Sequence, residues 1–266
     1  CEELFDSPKI ENPVRLITMP AYPVFGFEVA PMLYLTDIHD RHKRFFKSQH
    51  LYPLVSIIDP KISLAVDEEK SVGGAICSLA ISTESVISKK NNGLLNTLAL
   101  RSIDLTFKNL PVIYRDPANL AARTQISLAS IMAGIAFSMA ELSVTMAIAM
   151  AICSTSSISI ENAMGVILPH IMEYNLTSSP GKYVQMSKVM DEDVKDITVI
   201  EAAIKAVEGV RKLEMEVDIP QRLSPFEIPK TELSAIAGIA INYPFLENAP
   251  RPLSKNEIET ILIAAY

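Results

Sequence analysis

The 266-residue chain is 49% apolar and 21% charged, an ordinary globular composition long enough for one large or two modest domains. A net charge of −7, a sequence pI near 5.2 and no Lys/Arg cluster beyond the short patch Arg41–Lys47 exclude a nucleic-acid binder, which needs a basic face. Cys1, Cys77 and Cys153 are scattered and form no CxxC; this excludes a disulfide framework and a cysteine zinc site, and points to a reducing intracellular compartment, an organelle such as the mitochondrion included.

The opening CEELFDSPKIENP reads neither as a signal peptide nor as a basic presequence, and it has no initiator Met, as expected of a processed or partial product. Short apolar, β-branched runs follow at Val14–Met19, Glu28–Thr36 and Leu54–Ile58, punctuated by prolines 20, 23, 31, 53 and 60; these are the predicted strands. So few strands leave open edges, which must pair tightly with one another or be covered from outside. At Asp67 the period becomes helical, with Asp67 as N-cap and Glu68 and Glu69 on the positive end of the dipole. Helices are predicted over 68–88, 94–109, 117–140, 142–153, 160–174, 181–190, 197–215, 231–242 and 255–265, the last opened by the capping box Ser254/Glu257. The organisation expected is a β-rich portion over 1–66 and a helical domain over 67–266. Nine glycines, and no GxGxxG or GxxxxGK[ST], leave the chain without a phosphate cradle of its own.

SVTMAIAMAI (143–152) poses the membrane question, since Glu141 is the one charge between Gln125 and Ile160. A spanning helix needs about 20 apolar residues. Leu142–Cys153 and Ile126–Ala140 both fall short, and neither has an aromatic belt or basic flanks, so a buried core pair is expected. An integral membrane subunit built on 126–153 is the competing reading. Met146 and Met150 with Cys77 suit a soft metal such as copper(I), but methionine at i, i+4 is more often core. Asp37, His39, Asp40 and His42 read as a solvated turn rather than a surface metal site. His170 is expected to satisfy a backbone group beside Pro169, Cys77 to be a buried inert thiol rather than a nucleophile, and Glu141 to be paired with a Lys or Arg.

The order and spacing of LVSIIDPKISLAV (54–66), MAGIAFSMAEL (132–142), NAMGVILPHIMEYN (162–175), GKYVQMSKVM (181–190), VDIPQRL (217–223) and NAPRPLSKNEIETILIAAY (248–266) resemble the iron-dependent (group III) alcohol dehydrogenase family. The resemblance implies a mainly α fold: an all-helical bundle of the dehydroquinate synthase-like C-terminal type, preceded by a remnant of an α/β nucleotide-binding domain. In that family an iron or zinc ion polarises the substrate oxygen while NAD(P) exchanges a hydride. Its metal pattern, G-x-D-A-x-x-H-A-x-E plus two later histidines, falls here on Cys77, Ile81, Met146 and Ile160, with the Glu kept as Glu84. A further histidine position becomes Met150. Its threonine- and glycine-rich loop, P-T-T-x-G-T-G-S-E, reads PAYPVFGFE (Pro20–Glu28), in which Val24, Phe25 and Phe27 offer nothing to a phosphate.

Cys, Ile, Met and Ile cannot hold a hard divalent cation. The resemblance with these departures therefore implies no catalytic, cofactor-binding or metal-binding residue, no cofactor, and a catalytically inactive relative retained as a structural or accessory subunit. Its expected partners are other protein subunits, with no nucleic acid and no membrane span, though association with a membrane complex is compatible. The alternative is one part of an NAD(P)-dependent alcohol dehydrogenase whose N-terminal half is missing from this sequence.

Overall fold

The computed structural model describes residues 14–23, 25–39 and 42–266, so Cys1, Val24, Asp40 and Arg41 lie outside the described residues. The fold is mainly helical. Its helices are α1 (Glu68–Ile87), α2 (Gly93–Arg115), α3 (Leu120–Ala140), α4 (Val144–Thr155), α5 (Ile160–Leu176), α6 (Pro180–Val189), α7 (Val199–Glu216), α8 (Leu233–Ala240) and α9 (Lys255–Ala264).

Local chemistry explains the starts. Asp67, Asn92, Asn119, Ser143 and Ser159 each accept a backbone N–H from the first turn of α1 to α5, the Asp67 bond from Lys70 N–H at 2.8 Å. Thr198/Glu201 and Ser254/Glu257 form reciprocal capping boxes on α7 and α9. The ends agree less well with expectation: α2 runs through Pro111 to Arg115 instead of stopping at 109. The proline removes one ladder bond, but Leu110 and Ile113 on either side of it are buried, and their burial outweighs the break.

α1 is the central post. Every residue from Ser71 to Ile87 is buried, because α2, α3, α4, α5 and α6 all pack on it. In α4, Val144–Ile152 is buried without exception, so the uncharged stretch at 143–152 is protein core. α3 corrects one expectation. Leu120–Ala140 as a whole is long and apolar enough to cross a membrane by length and composition, where 126–140 alone was too short; half of its most apolar window is buried inside the fold.

The predicted strands are shorter than expected and a fourth was missed. β1 (Ile17–Thr18) pairs in parallel with β4 (Val55–Ser56), in the register Ile17↔Val55. β2 (Met32–Thr36) pairs antiparallel with β3 (Lys43–Lys47), Met32 opposite Lys47 and Thr36 opposite Lys43. β3 lies in what reads as a basic patch; Lys43, Phe45 and Lys47 share one face of it, with Phe45 buried, and Arg44 and Phe46 share the other. The run Glu28–Thr36 is not one strand, since Phe27–Val29 forms a 3₁₀ turn and extended pairing begins only at Met32. The β-rich segment is tied to the helices by Tyr243 O–H donating to the Lys43 carbonyl (2.6 Å) and Lys43 N–H donating to Ser154 Oγ (3.3 Å).

Candidate functional site

The residues at the expected metal positions come from three packed helices. Cys77 and Ile81 stand one turn apart on α1, Met146 on α4, and Ile160 at the first position of α5. Cys77, Ile81, Met146 and Met150 have no exposed surface and belong to one apolar core cluster; Ile160 is half-buried beside it. Burial drives the Cys77 thiol well above its ordinary pKa, and Glu161 and Cys153 add to the effect, so it stays a protonated thiol. Among the described residues no group of three or more His, Cys, Asp and Glu side chains converges. The donor set therefore does not fit iron(II) or zinc, which take imidazole, carboxylate or thiolate ligands.

Glu84, one turn beyond Ile81, serves another purpose. Its carboxylate accepts the Ser143 hydroxyl at 2.8 Å, Val144 N–H at 2.7 Å and Thr145 N–H at 3.2 Å, which places it across the N-terminus of α4. Burial pushes its pKa up to about 7 against the pull of these hydrogen bonds. Burial first of all, and then the charge of Glu84, also raise Tyr183, whose hydroxyl is buried without a hydrogen-bond partner among the described residues.

The loop Pro20–Glu28 is pressed onto the helices. Gly26 sits in the left-handed region at φ 71°, and a Cβ on it would come within 2.3 Å of the Gly134 backbone of α3; a Cβ on Gly74 of α1 would lie 2.2 Å from the Pro23 carbonyl oxygen. Gly26 N–H donates to Ser130 Oγ (3.1 Å), whose hydroxyl donates to Glu28 Oε1 (3.1 Å). Burial raises Glu28 to about 7, and its second oxygen has no hydrogen-bond partner among the described residues. Phe25 is buried, and Phe27 stacks on Phe137 of α3 at 6.1 Å. Phe45 meets Phe245 edge-on at 4.3 Å, and Phe137 reaches Phe245 at 6.0 Å, so an aromatic cluster runs from the loop into the helical body. A cavity on one side of the loop, between Tyr22, Asp59, Ser63 and Ser127, is about 10 Å³, and one on the other side, between Leu16, Met19, Phe27, Glu28 and Leu51, is about 350 Å³.

The remaining candidates scatter. Asp37 accepts His39 N–H at 2.9 Å and Arg44 Nε–H at 2.7 Å in the β2–β3 turn, and His39 is exposed. His50 is likewise exposed, and its N–H donates to Ser48 Oγ. His170 departs from expectation: its Nδ1 faces Glu173 at 3.9 Å on the same helix rather than a backbone group. Glu141 caps α3 in the left-handed conformation and pairs, half-buried, with Lys47 and Lys90, the pairing expected of it. Glu28 and Ser130 were not singled out from sequence. An acid in the apolar run FEVAPM was the available signal.

With this arrangement in view, the comparisons decide the family. The model of the C-terminal part of the Fe-containing alcohol dehydrogenase family matches residues 74–266, and the chain belongs to that family. It is 28% identical over 261 residues to 1,3-propanediol dehydrogenase of Klebsiella pneumoniae, covering 95% of this chain and 67% of the relative. It is 20% identical over 254 residues to NAD-dependent methanol dehydrogenase of Bacillus methanolicus, covering 95% and 67%. A crystal structure of 1,3-propanediol oxidoreductase superposes with a TM-score of 0.93 at 27% identity, covering 99% of this chain and 69% of that one. Alcohol dehydrogenase from Oenococcus oeni shares the fold, with a TM-score of 0.94 at 23% identity and coverages of 100% and 70%. The chain thus spans about two thirds of the length of these relatives, as the C-terminal portion of the family.

Proposed function

We propose that this chain is a non-catalytic member of its family, kept as a structural or accessory subunit of a larger protein assembly. The seating of the Pro20–Glu28 loop carries this reading. A dinucleotide pocket has a volume of several hundred Å³, of the order of 300–1,000. On its Tyr22 side the space against the loop is about 10 Å³, room for a single water; on its Phe27 side a cavity of about 350 Å³ is lined mainly by apolar side chains, Leu16, Met19, Phe27, Met32 and Leu51, which give a pyrophosphate little to bind. The exposed apolar side chains of Leu16, Ile17, Met19, Leu54 and Val55 supply a surface for protein subunits in an intracellular, reducing compartment. NADH and NADPH titration followed by the fluorescence of the nucleotide itself, together with alcohol-dependent NAD+ reduction, tests the proposal on the purified protein. Neither binding nor turnover is expected, and turnover above a heat-treated control overturns it.

A second reading keeps the protein an oxidoreductase, with its nucleotide-binding portion outside this sequence. The dehydrogenase relatives favour it, and so does the share of their length that this chain spans. An apolar pocket of about 240 Å³ lined by Met32, Phe45, Phe137 and Phe245, with Lys47 and Glu141 at its rim, leaves room for a small alcohol. Nucleotide binding by a longer form of the polypeptide is the result that would favour this reading over the first.

A further inference from the structure

The family is described as iron-containing, and three helices here bring together the positions at which a metal would join them. We infer that this chain folds and holds its helices together without iron or zinc, the junction of α1, α4 and α5 being closed by apolar packing and by Glu84 lying across the α4 N-terminus. The inference deepens the non-catalytic reading and rests on it only for its functional meaning.

The apolar half of the junction consists of side chains that give a hard cation nothing to bind. Cys77, Ile81 and Met146 are fully buried and continuous with Met150, Ile76 and Ile167 in one cluster. Even the contacts beyond this set are tight: a Cβ on Gly165 of α5 would come within 2.6 Å of Ile219, and within 3.5 Å of Ile76 on α1. A charged ligand set at these positions would have to be desolvated among largely apolar side chains, with the carboxylate of Glu161 acting on Cys77 as the nearby charge. The polar half is local and complete. Glu84 takes both N–H groups of the first residues of α4 as well as the Ser143 hydroxyl, so the α1–α4 contact has a hydrogen-bonded anchor supplied by the chain itself.

Metal analysis and thermal unfolding of the full chain test this. Protein prepared without added metal is expected to carry iron and zinc far below stoichiometric amounts, and its Tm is expected to be unmoved by EDTA, by Zn2+ or by anaerobic Fe2+. A stoichiometric ion that survives desalting, or a Tm lowered by EDTA, overturns the inference. Two variants give an independent arm. Cys77→Asp is expected to lower Tm and to recover none of the loss with Zn2+, whereas Cys77→Ser, nearly isosteric and neutral, is expected to lose less. Stabilisation of the Cys77→Asp variant by Zn2+ would mean that ligands still converge there and would sink the proposal. Metal-free NAD-linked alcohol turnover would remove the non-catalytic reading and leave this inference standing, so the two fail separately.

Discussion

Glu28 and Glu84 are the two side chains whose chemistry departs most usefully from the ordinary. Each has a folded-state pKa of about 7 where an exposed glutamate has one near 4.5, chiefly because burial penalises the charged form. The folded chain therefore binds protons more tightly than the unfolded chain between those two values. Stability falls as pH rises through that window and is flat above it, by up to about 3 kcal/mol for each group. Urea unfolding at pH 5 and pH 7.5 is expected to show the higher midpoint at pH 5. Glu84→Gln, whose amide oxygen can still accept from α4, is expected to flatten this slope; an unchanged slope would assign the effect to other groups. Cys77, buried and protonated, is expected to react with a thiol reagent only at the rate of unfolding. Fast labelling of the native protein at that residue would contradict the packing described.

Most of the elements were legible because their signals are local. Asp67 and Ser254 announce helix starts where they occur. Ser254→Ala, which breaks the reciprocal box at α9, is expected to cost about 1 kcal/mol by denaturant unfolding. The strands were harder to read. Three of the five residues of β3 are lysine or arginine, and two of them flank the buried Phe45 on its own face, so no apolar–polar alternation shows. β1 and β4 contribute two residues each, and what defines them is the partner strand nearly forty residues away, which no window on the sequence contains. In the candidate site, the residue types at the expected ligand positions, Cys77, Ile81, Met146 and Ile160, are a matter of sequence alone. The use of Glu84 as an anchor for α4 is not, because it depends on which helix end lies opposite. The closeness of Gly26 to Gly134 is likewise a three-dimensional fact. Gly134→Ala would drive a methyl to within 2.0 Å of the Gly26 carbonyl oxygen, and a loss of stability of about 1–3 kcal/mol is expected as the loop lifts from α3. A wild-type unfolding midpoint in this variant would mean the loop moves freely.

At the scale of the molecule, half of the exposed large apolar side chains among the described residues lie before residue 65, although the helical body makes up most of the chain. Seven of them, Val14, Leu16, Ile17, Met19, Leu54, Val55 and Ile57, lie on or beside the ribbon of β1 and β4, where Ile17 pairs with Val55 and the hydroxyl residues Thr18 and Ser56 pair with each other. The isolated chain is accordingly expected to self-associate as concentration rises in light scattering. Replacing Ile17 and Val55 together by Lys is expected to suppress that association while leaving Tm nearly unchanged, because both side chains are largely solvent-facing. A marked fall in Tm would instead make the ribbon a structural element of the monomer.

The buried carboxyls alter how the protein presents itself electrically. The formal value of −7 counts every glutamate as ionised, yet burial raises Glu28 and Glu84 to about 7 and raises Glu214, on the buried face of α7, far above its usual range. Native material should focus at a more alkaline position in an immobilised gradient than the same polypeptide in urea. The difference would count, proton by proton, the acids that folding has silenced.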